Sequence, residues 1–235
     1  MLPKYIYLII MKTKNSSPTP KTLIALFTLL LVIAGFSSCK KDDNNDVSGK
    51  AYIRATNTAE VSAPQDFLVD DQVNQSALAY SQSTAYVEVK AGSRALKFRS
   101  TGTTTVNSTS SLNTSAGNYY SVFYLDDKTT ATYQDDQTTP QSGKARIRFI
   151  NLSSAVNSNV DFGLSAGNKL VTALANKVAS AYYEVDAATS FSLYAAGSST
   201  VMLNIPVTIQ AGRIYTVYVS GATQLTLSYH LIVQK

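Results

Sequence analysis

A single cysteine, a single histidine and no tryptophan stand in 235 residues. With Cys39 alone, no intramolecular disulfide can form, so stability has to come from the core. Any histidine-based metal site or Ser-His-Asp triad has only His230 to draw on. Without tryptophan, stacking on sugar rings falls to the 15 tyrosines. The longest apolar run covers 14 residues, short of the roughly 20 that a membrane-crossing helix needs.

That run, residues 23–36 (LIALFTLLLVIAGF), follows Lys12, Lys14 and Lys21 and is laid out as the apolar core of a cleaved signal peptide. Met11 offers a second start for it. It leads directly into the lone cysteine: Phe36-Ser37-Ser38-Cys39 resembles the lipobox of bacterial lipoproteins, with phenylalanine where leucine is usual. The following KKDDNND, residues 40–46, resembles the charged segment behind the lipidated cysteine of outer-membrane and surface-exported lipoproteins of the Bacteroidota. No aspartate follows Cys39 directly, so the usual inner-membrane retention signal is missing. The resemblance implies cleavage after residue 38, acylation of Cys39, and a tether over 39–48. Several acyl chains hold a protein far more firmly than one, at about 0.8 kcal/mol per buried methylene. The membrane is then the first partner, through Cys39, and the expected location is the outer membrane, facing outward.

Processing also rewrites the charge. The formal net charge of +5 includes four lysines upstream of Cys39, whereas all 15 acidic residues lie downstream. The processed chain of 197 residues carries 16 basic against 15 acidic side chains, about +1. That excludes the basic footprint of a nucleic-acid binder.

Within those 197 residues the sequence repeats. GKAYIRATN (49–57) returns as GKARIRFIN (143–151), DF at 66 as DF at 161, AYVEV (85–89) as AYYEV (181–185), and AGNYYSVF (116–123) as AGRIYTVY (211–218). The offsets of 94, 95, 96 and 95 are collinear, which marks a tandem duplication with a unit of about 90 residues. The expected organisation is a repeat over 49–136, a polar linker over 137–142 and a second repeat over 143–235, each folding separately.

Apolar residues alternate within each unit. Ala51, Ile53 and Ala55 face one way and Tyr52, Arg54 and Thr56 the other; the copy sets Ala145, Ile147 and Phe149 against Arg146 and Arg148. The last run, LTLSYHLIV, puts Leu225, Leu227, Tyr229, Leu231 and Val233 on one face and His230 on the polar side. One stretch, LVTALANKVASAYYEV, has a helix-like beginning without caps, and its first half is read as a loop. Short strands broken by Gly, Asn and Ser predict an all-β chain of two tandem immunoglobulin-like β-sandwiches. In AGNYY and AGRIY, Tyr120 and Tyr215 are placed as tyrosine corners, whose hydroxyls bond back to upstream backbone.

A-x-I-R-x-x-N at the start of each repeat, A-Y-x-E-V in its middle and A-G-x-x-Y before an apolar strand together resemble the bacterial family catalogued as domain of unknown function 4397. The resemblance runs over 49–235. It implies a β-sandwich at the cell surface, often a lipoprotein with the unit in tandem, and brings no catalytic residue and no cofactor.

The chemistry-bearing residues give little more. His230 reads as an exposed histidine on the edge strand. Glu88 and Glu184 are repeat equivalents, each expected on an outer face of its own domain rather than as a carboxylate pair 5–10 Å apart. Asp70-Asp71, Asp126-Asp127 and Asp135-Asp136 lack Ca²⁺-loop spacing and read as turn and linker residues. The Ser/Thr/Asn-rich run 100–117 is either a solvated hairpin or a polar surface for glycans. No catalytic residue, metal site or cofactor is expected, and no ligand-binding residue is assigned. The leading function is a non-catalytic surface module for glycan or protein, with exposed tyrosines and polar loops as its signature. The alternatives are a structural spacer or fibre component and, last, a hydrolase.

Overall fold

The computed structural model describes residues 48–165 and 167–235; the expected signal segment, Cys39 and all of the tether but its last residue lie outside them. Alternating apolar residues build sixteen strands here, and no helix among the described residues. The first repeat runs β1 (Lys50–Asn57), β2 (Gln65–Val69), β3 (Gln72–Leu78), β4 (Val87–Lys90), β5 (Gly92–Ser100), β6 (Val106–Thr114), β7 (Tyr119–Tyr124) and β8 (Thr130–Asp135). The second runs β9 (Lys144–Asn151), β10 (Val160–Leu164), β11 (Lys169–Leu174), β12 (Tyr183–Asp186), β13 (Phe191–Ala195), β14 (Val201–Ile205), β15 (Ile214–Ser220) and β16 (Ser228–Val233). Each repeat is a two-sheet sandwich. Sheets β4-β1-β7-β8 and β3-β2-β5-β6 form the first, β12-β9-β15-β16 and β11-β10-β13-β14 the second. All ladders are antiparallel except β1 with β7 and β9 with β15.

The repeated motifs hold this fold in place. The asparagine of R-x-x-N closes the turn after the first strand: Asn57 donates to the Leu78 carbonyl (3.0 Å) and accepts from the Ala59 amide (3.0 Å). Asn151 does the same with the Val156 carbonyl (2.8 Å) and the Ser153 amide (3.2 Å). The aspartate of D-F pins a β-bulge in the neighbouring strand. Asp66 accepts from the Ala77 amide (3.2 Å) and Asp161 from the Ala173 amide (2.8 Å), and both alanines are left-handed, with φ of 54° and 52°. The tyrosine corners form as expected: the Tyr120 hydroxyl accepts from the Ser115 amide (3.0 Å) and that of Tyr215 from the Gln210 amide (3.1 Å).

Ala51, Ile53 and Ala55, like Ala145, Ile147 and Phe149, are fully buried. Between the sheets of the first repeat Ile53 and Ala55 join Phe67, Leu96 and Phe98 in one core cluster; in the second Ala145, Ile147 and Phe149 join Phe162, Phe191 and Leu193. Each such phenylalanine contributes roughly 1.5–3 kcal/mol by burial.

Three expectations need correction. Residues 170–174, read as loop, lie in strand β11 on β10; its one-sided exposure and the bulge at Ala173 blur the alternation. The last strand begins at Ser228, not Leu225, which is 98% exposed in the turn closed by Thr226 N–H to Thr223 O (3.1 Å). Most consequential, the polar faces of β1 and β9 are not solvent faces: Arg54, Thr56 and Arg148 are buried. The sheets β4-β1-β7-β8 and β12-β9-β15-β16 pack against each other through Phe123, Leu125, Ile150, Leu152, Tyr218 and Ile232. The two sandwiches therefore stack as four layers within the compact unit Asn45–Lys235.

Candidate functional site

The polar centre of the junction is built twice from the same strands. From the first repeat come Arg54, Tyr86, Ser121 and Asp135; from the second, at matching positions, Arg148, Tyr182, Thr216 and Gln234. Arg54 donates to the Val233 carbonyl (3.1 Å) and Arg148 to the Gln134 carbonyl (2.9 Å). Each guanidinium also lies over a tyrosine of its own repeat, Arg54 over Tyr86 at 4.1 Å and Arg148 over Tyr182 at 5.2 Å. Symmetry breaks at one pair. Asp135 accepts from Arg148 and from Gln234 Nε2 (2.9 Å), whereas two aspartates here would repel. It also accepts from Ser121 (2.7 Å) and Tyr86 (2.7 Å); burial, with Asp135 beside it, pushes the Tyr86 phenol up. Asp135 is thus a junction residue, not the linker aspartate that its sequence context suggests.

His230 is not exposed either. It points into the same junction, stacks on Tyr218 (4.7 Å between centroids) and meets Ser220 Oγ through Nε2 at 2.9 Å. Burial lowers its pKa to about 4. Ser220 is fully buried and holds the Tyr80 hydroxyl at 2.8 Å, so this Ser-His pair offers no open nucleophile.

The carboxylates read from the sequence lie apart. Glu88 pairs with Lys50 (2.7 Å) and Glu184 with Arg146 (3.5 Å), each on the edge strand of its own repeat. Asp70 and Asp71 form the β2–β3 turn and pair with Arg94 (2.8 Å) and Lys97 (2.5 Å). Asp126 accepts from the Glu60 amide (2.7 Å) within its own repeat and from Ser154 (2.8 Å) across the repeats, and Asp127 pairs with Lys177 (2.6 Å). Burial works to raise Asp127, but bonds from Lys177 and Thr129 carry it down to about 2; Arg146 and Thr138 do the same for Asp136.

None of the 13 described tyrosines is exposed, which removes the expected signature of surface tyrosines. The polar run 100–117 is the β5–β6 hairpin and the edge strand β6. Its tip closes a site: Asp66 takes Arg99 (2.9 Å) and Thr101 (2.9 Å), and the Arg99 bond chiefly holds its pKa below the usual range.

The matching place in the second repeat is open. Tyr194 stands where Arg99 does, opposite Asp161 as Arg99 is opposite Asp66. Lys169 takes the position of Val73, and Gly163 that of Leu68. Asp161 receives a main-chain amide, Gly197 N–H (3.0 Å), in place of the arginine. What remains is a cavity of about 550 Å³ lined by Asp161, Ser165, Lys169, Tyr194, Ser199 and Val201, among others. This volume lies within the ~300–1,000 Å³ span of small-ligand clefts. The likenesses between the repeats do not reveal this site, because its signal is a difference between them, Arg99 against Tyr194 and Val73 against Lys169. A smaller hollow of about 300 Å³ lies beside the linker at Tyr119, Asp136 and Gln137.

A family model described as Domain of unknown function (DUF4397) matches residues 51–162, the first repeat, the linker and the start of the second. No curated protein matches the chain. Among solved structures the chain is similar to the C-terminal domain of AlgF from P. aeruginosa, at 22% identity and TM-score 0.31, over 39% of this chain and 99% of that one. It is similar to CBMbc (family CBM26) from Eubacterium rectale Amy13K in complex with maltoheptaose, at 11% identity and TM-score 0.27, over 79% and 97%. A third likeness is to the multi-modular glycogen-degrading pneumococcal virulence factor SpuA, at 12% identity and TM-score 0.23, over 76% of this chain and 21% of that one. Likenesses at these scores are too slight to carry function.

Proposed function

Since the chain belongs to the family described as Domain of unknown function (DUF4397), whose description names no reaction, we propose that it is a non-catalytic, lipid-anchored surface protein that binds a glycan or a protein. One observation carries the binding: the place sealed by Arg99, Thr101 and Asp66 in the first repeat is a lined cavity in the second. A duplicated scaffold that fills one copy of a site and opens the other has separated support from recognition. Non-catalytic action is supported by the dispersal of the carboxylates into separate ion pairs and by the burial of Ser220 beside His230. Anchoring at Cys39, facing outward from the outer membrane, rests on the signal-like run and the small-small-Cys sequence before it.

Two experiments test the reading. Residues 45–235 are applied to a glycan array and to a surface-protein pull-down, beside Ser199→Trp, which fills the cavity. Loss of capture in the tryptophan variant supports the reading, and capture unchanged by it refutes the assigned site. For the anchor, cells labelled with fatty acid should mark the wild-type chain and leave Cys39→Ala unmarked; label on the alanine variant refutes acylation at Cys39.

A further inference from the structure

We propose that the cavity over Tyr194 binds an acidic saccharide, with the Lys169 ammonium turning off the Tyr194 ring to receive the carboxylate of one sugar residue. This rests on the reading of the chain as a binding module and names the class of its ligand.

The site holds one uncommitted cation. Lys169 Nζ is covered, lies 2.8 Å from the centre of the Tyr194 ring, and has no hydrogen-bond partner among the described residues. Asp161 does not take it up: its Oδ1 faces the Ala173 amide (2.8 Å) and its Oδ2 the Gly197 amide (3.0 Å). Burial lowers the lysine's pKa, with Asp161 opposing, so an arriving anion restores a solvation that the fold has removed. An ammonium in this state favours a ligand that brings a negative oxygen.

The rest of the lining decides what carries that oxygen. Tyr194 is buried and fixed by its own bond to the Leu164 carbonyl (2.9 Å), so it forms the floor of the cavity, and the apolar surface offered to the C–H face of a pyranose is Val201, which is 44% exposed. Thr172 and Ser199 stand at the rim with hydroxyls for ring hydroxyls. A free phosphate fits less well. It asks for several donors converging on a small volume, whereas here a single lysine lies in a cavity of about 550 Å³. In the first repeat Val73 replaces the lysine and Arg99 is spent on Asp66, so that copy has neither the charge nor the room.

The test is calorimetric titration of residues 45–235 with oligogalacturonate, with malto-oligosaccharide and with inorganic phosphate. Binding of oligogalacturonate is expected, weakening as salt rises. Lys169→Met should weaken it at least tenfold, Lys169→Arg should keep most of it, and Ser199→Trp should abolish it, with thermal unfolding of the lysine variants unchanged. Acidic-sugar binding that survives Lys169→Met overturns the proposal, as does failure of the acidic sugar to bind or phosphate binding as tightly. If neutral saccharides bind and only Ser199→Trp removes them, the acidic ligand is refuted while the binding-module reading stands.

Discussion

Arg54 and Arg148 occupy the same position in the two repeats, and each reaches across the junction to a main-chain carbonyl of the other, at Val233 (3.1 Å) and at Gln134 (2.9 Å). This crossed exchange has the self-complementary form of a two-fold interface, in which the same surface meets itself. A covalent tandem frees such an interface from identity. Asp135 and Gln234 show the result: matching positions carrying different side chains that bond to each other at 2.9 Å.

Arg148→Ala should be among the most damaging single changes. It leaves Asp135, which is 4% exposed, without its cation, and breaking one partner from a buried pair costs about 3–5 kcal/mol. Urea denaturation measures it; a loss below about 1 kcal/mol would show that Gln234, Ser121 and Tyr86 suffice for that carboxylate.

Acid should weaken the fold in two stages. The His230 pKa is depressed in the fold, to about 4 from 6.5, so the neutral ring is the favoured form. Its contribution is complete above pH 6.5 and is lost as pH falls toward 4, amounting to ~3 kcal/mol at most. Asp127 and Asp136, lowered to about 2, add a second loss between pH 4 and 2. Stability measured across pH in the wild type and in His230→Asn separates the stages. The upper one should vanish in the variant, and its persistence would assign it elsewhere.

Cutting the chain between Thr138 and Thr139, both exposed, should leave the halves together. Parting them would bare Phe123, Ile150 and Tyr218, all at 0% exposure, along with Arg148. The nicked protein should elute from gel filtration at the size of the uncut one and unfold in one transition. Two separate peaks, each folded, would show that the junction adds little.

Gly163→Ala should cost ~1–3 kcal/mol. A Cβ there meets the Asn168 carbonyl at 2.5 Å and Lys169 Cα at 3.1 Å, so the β10–β11 hairpin has to shift. Differential scanning calorimetry reads the loss; an unchanged Tm would mean that the hairpin yields freely, and that Lys169 is held by Tyr194 rather than by its strand.

Much of the fold was legible because duplication printed it twice. Ala51, Ile53 and Ala55 point inward in a pattern that Ala145, Ile147 and Phe149 repeat, and the corner tyrosines kept their spacing from the preceding glycine. The junction was not legible. Alternation tells that Arg54, Arg148 and His230 share the face opposite the core; it does not tell whether that face meets water or another sheet. That choice belongs to tertiary packing, and a buried arginine looks like an exposed one until its partners are known. Residues 170–174 were obscured for another reason, since an edge strand with a left-handed bulge at Ala173 keeps too few inward residues to show a period. The cavity escaped because a lysine and a tyrosine become a site only by comparison with the valine and arginine that fill the sister position.

The four-layer order also gives the protein a front and a back. The middle sheets are turned toward each other and the sheets β3-β2-β5-β6 and β11-β10-β13-β14 look outward in opposite directions, so the sealed copy of the site faces one way and the open copy the other. Two equal copies would cross-link whatever they bound. With one copy closed, a long polymer bound in the cavity as proposed would be held from one side only.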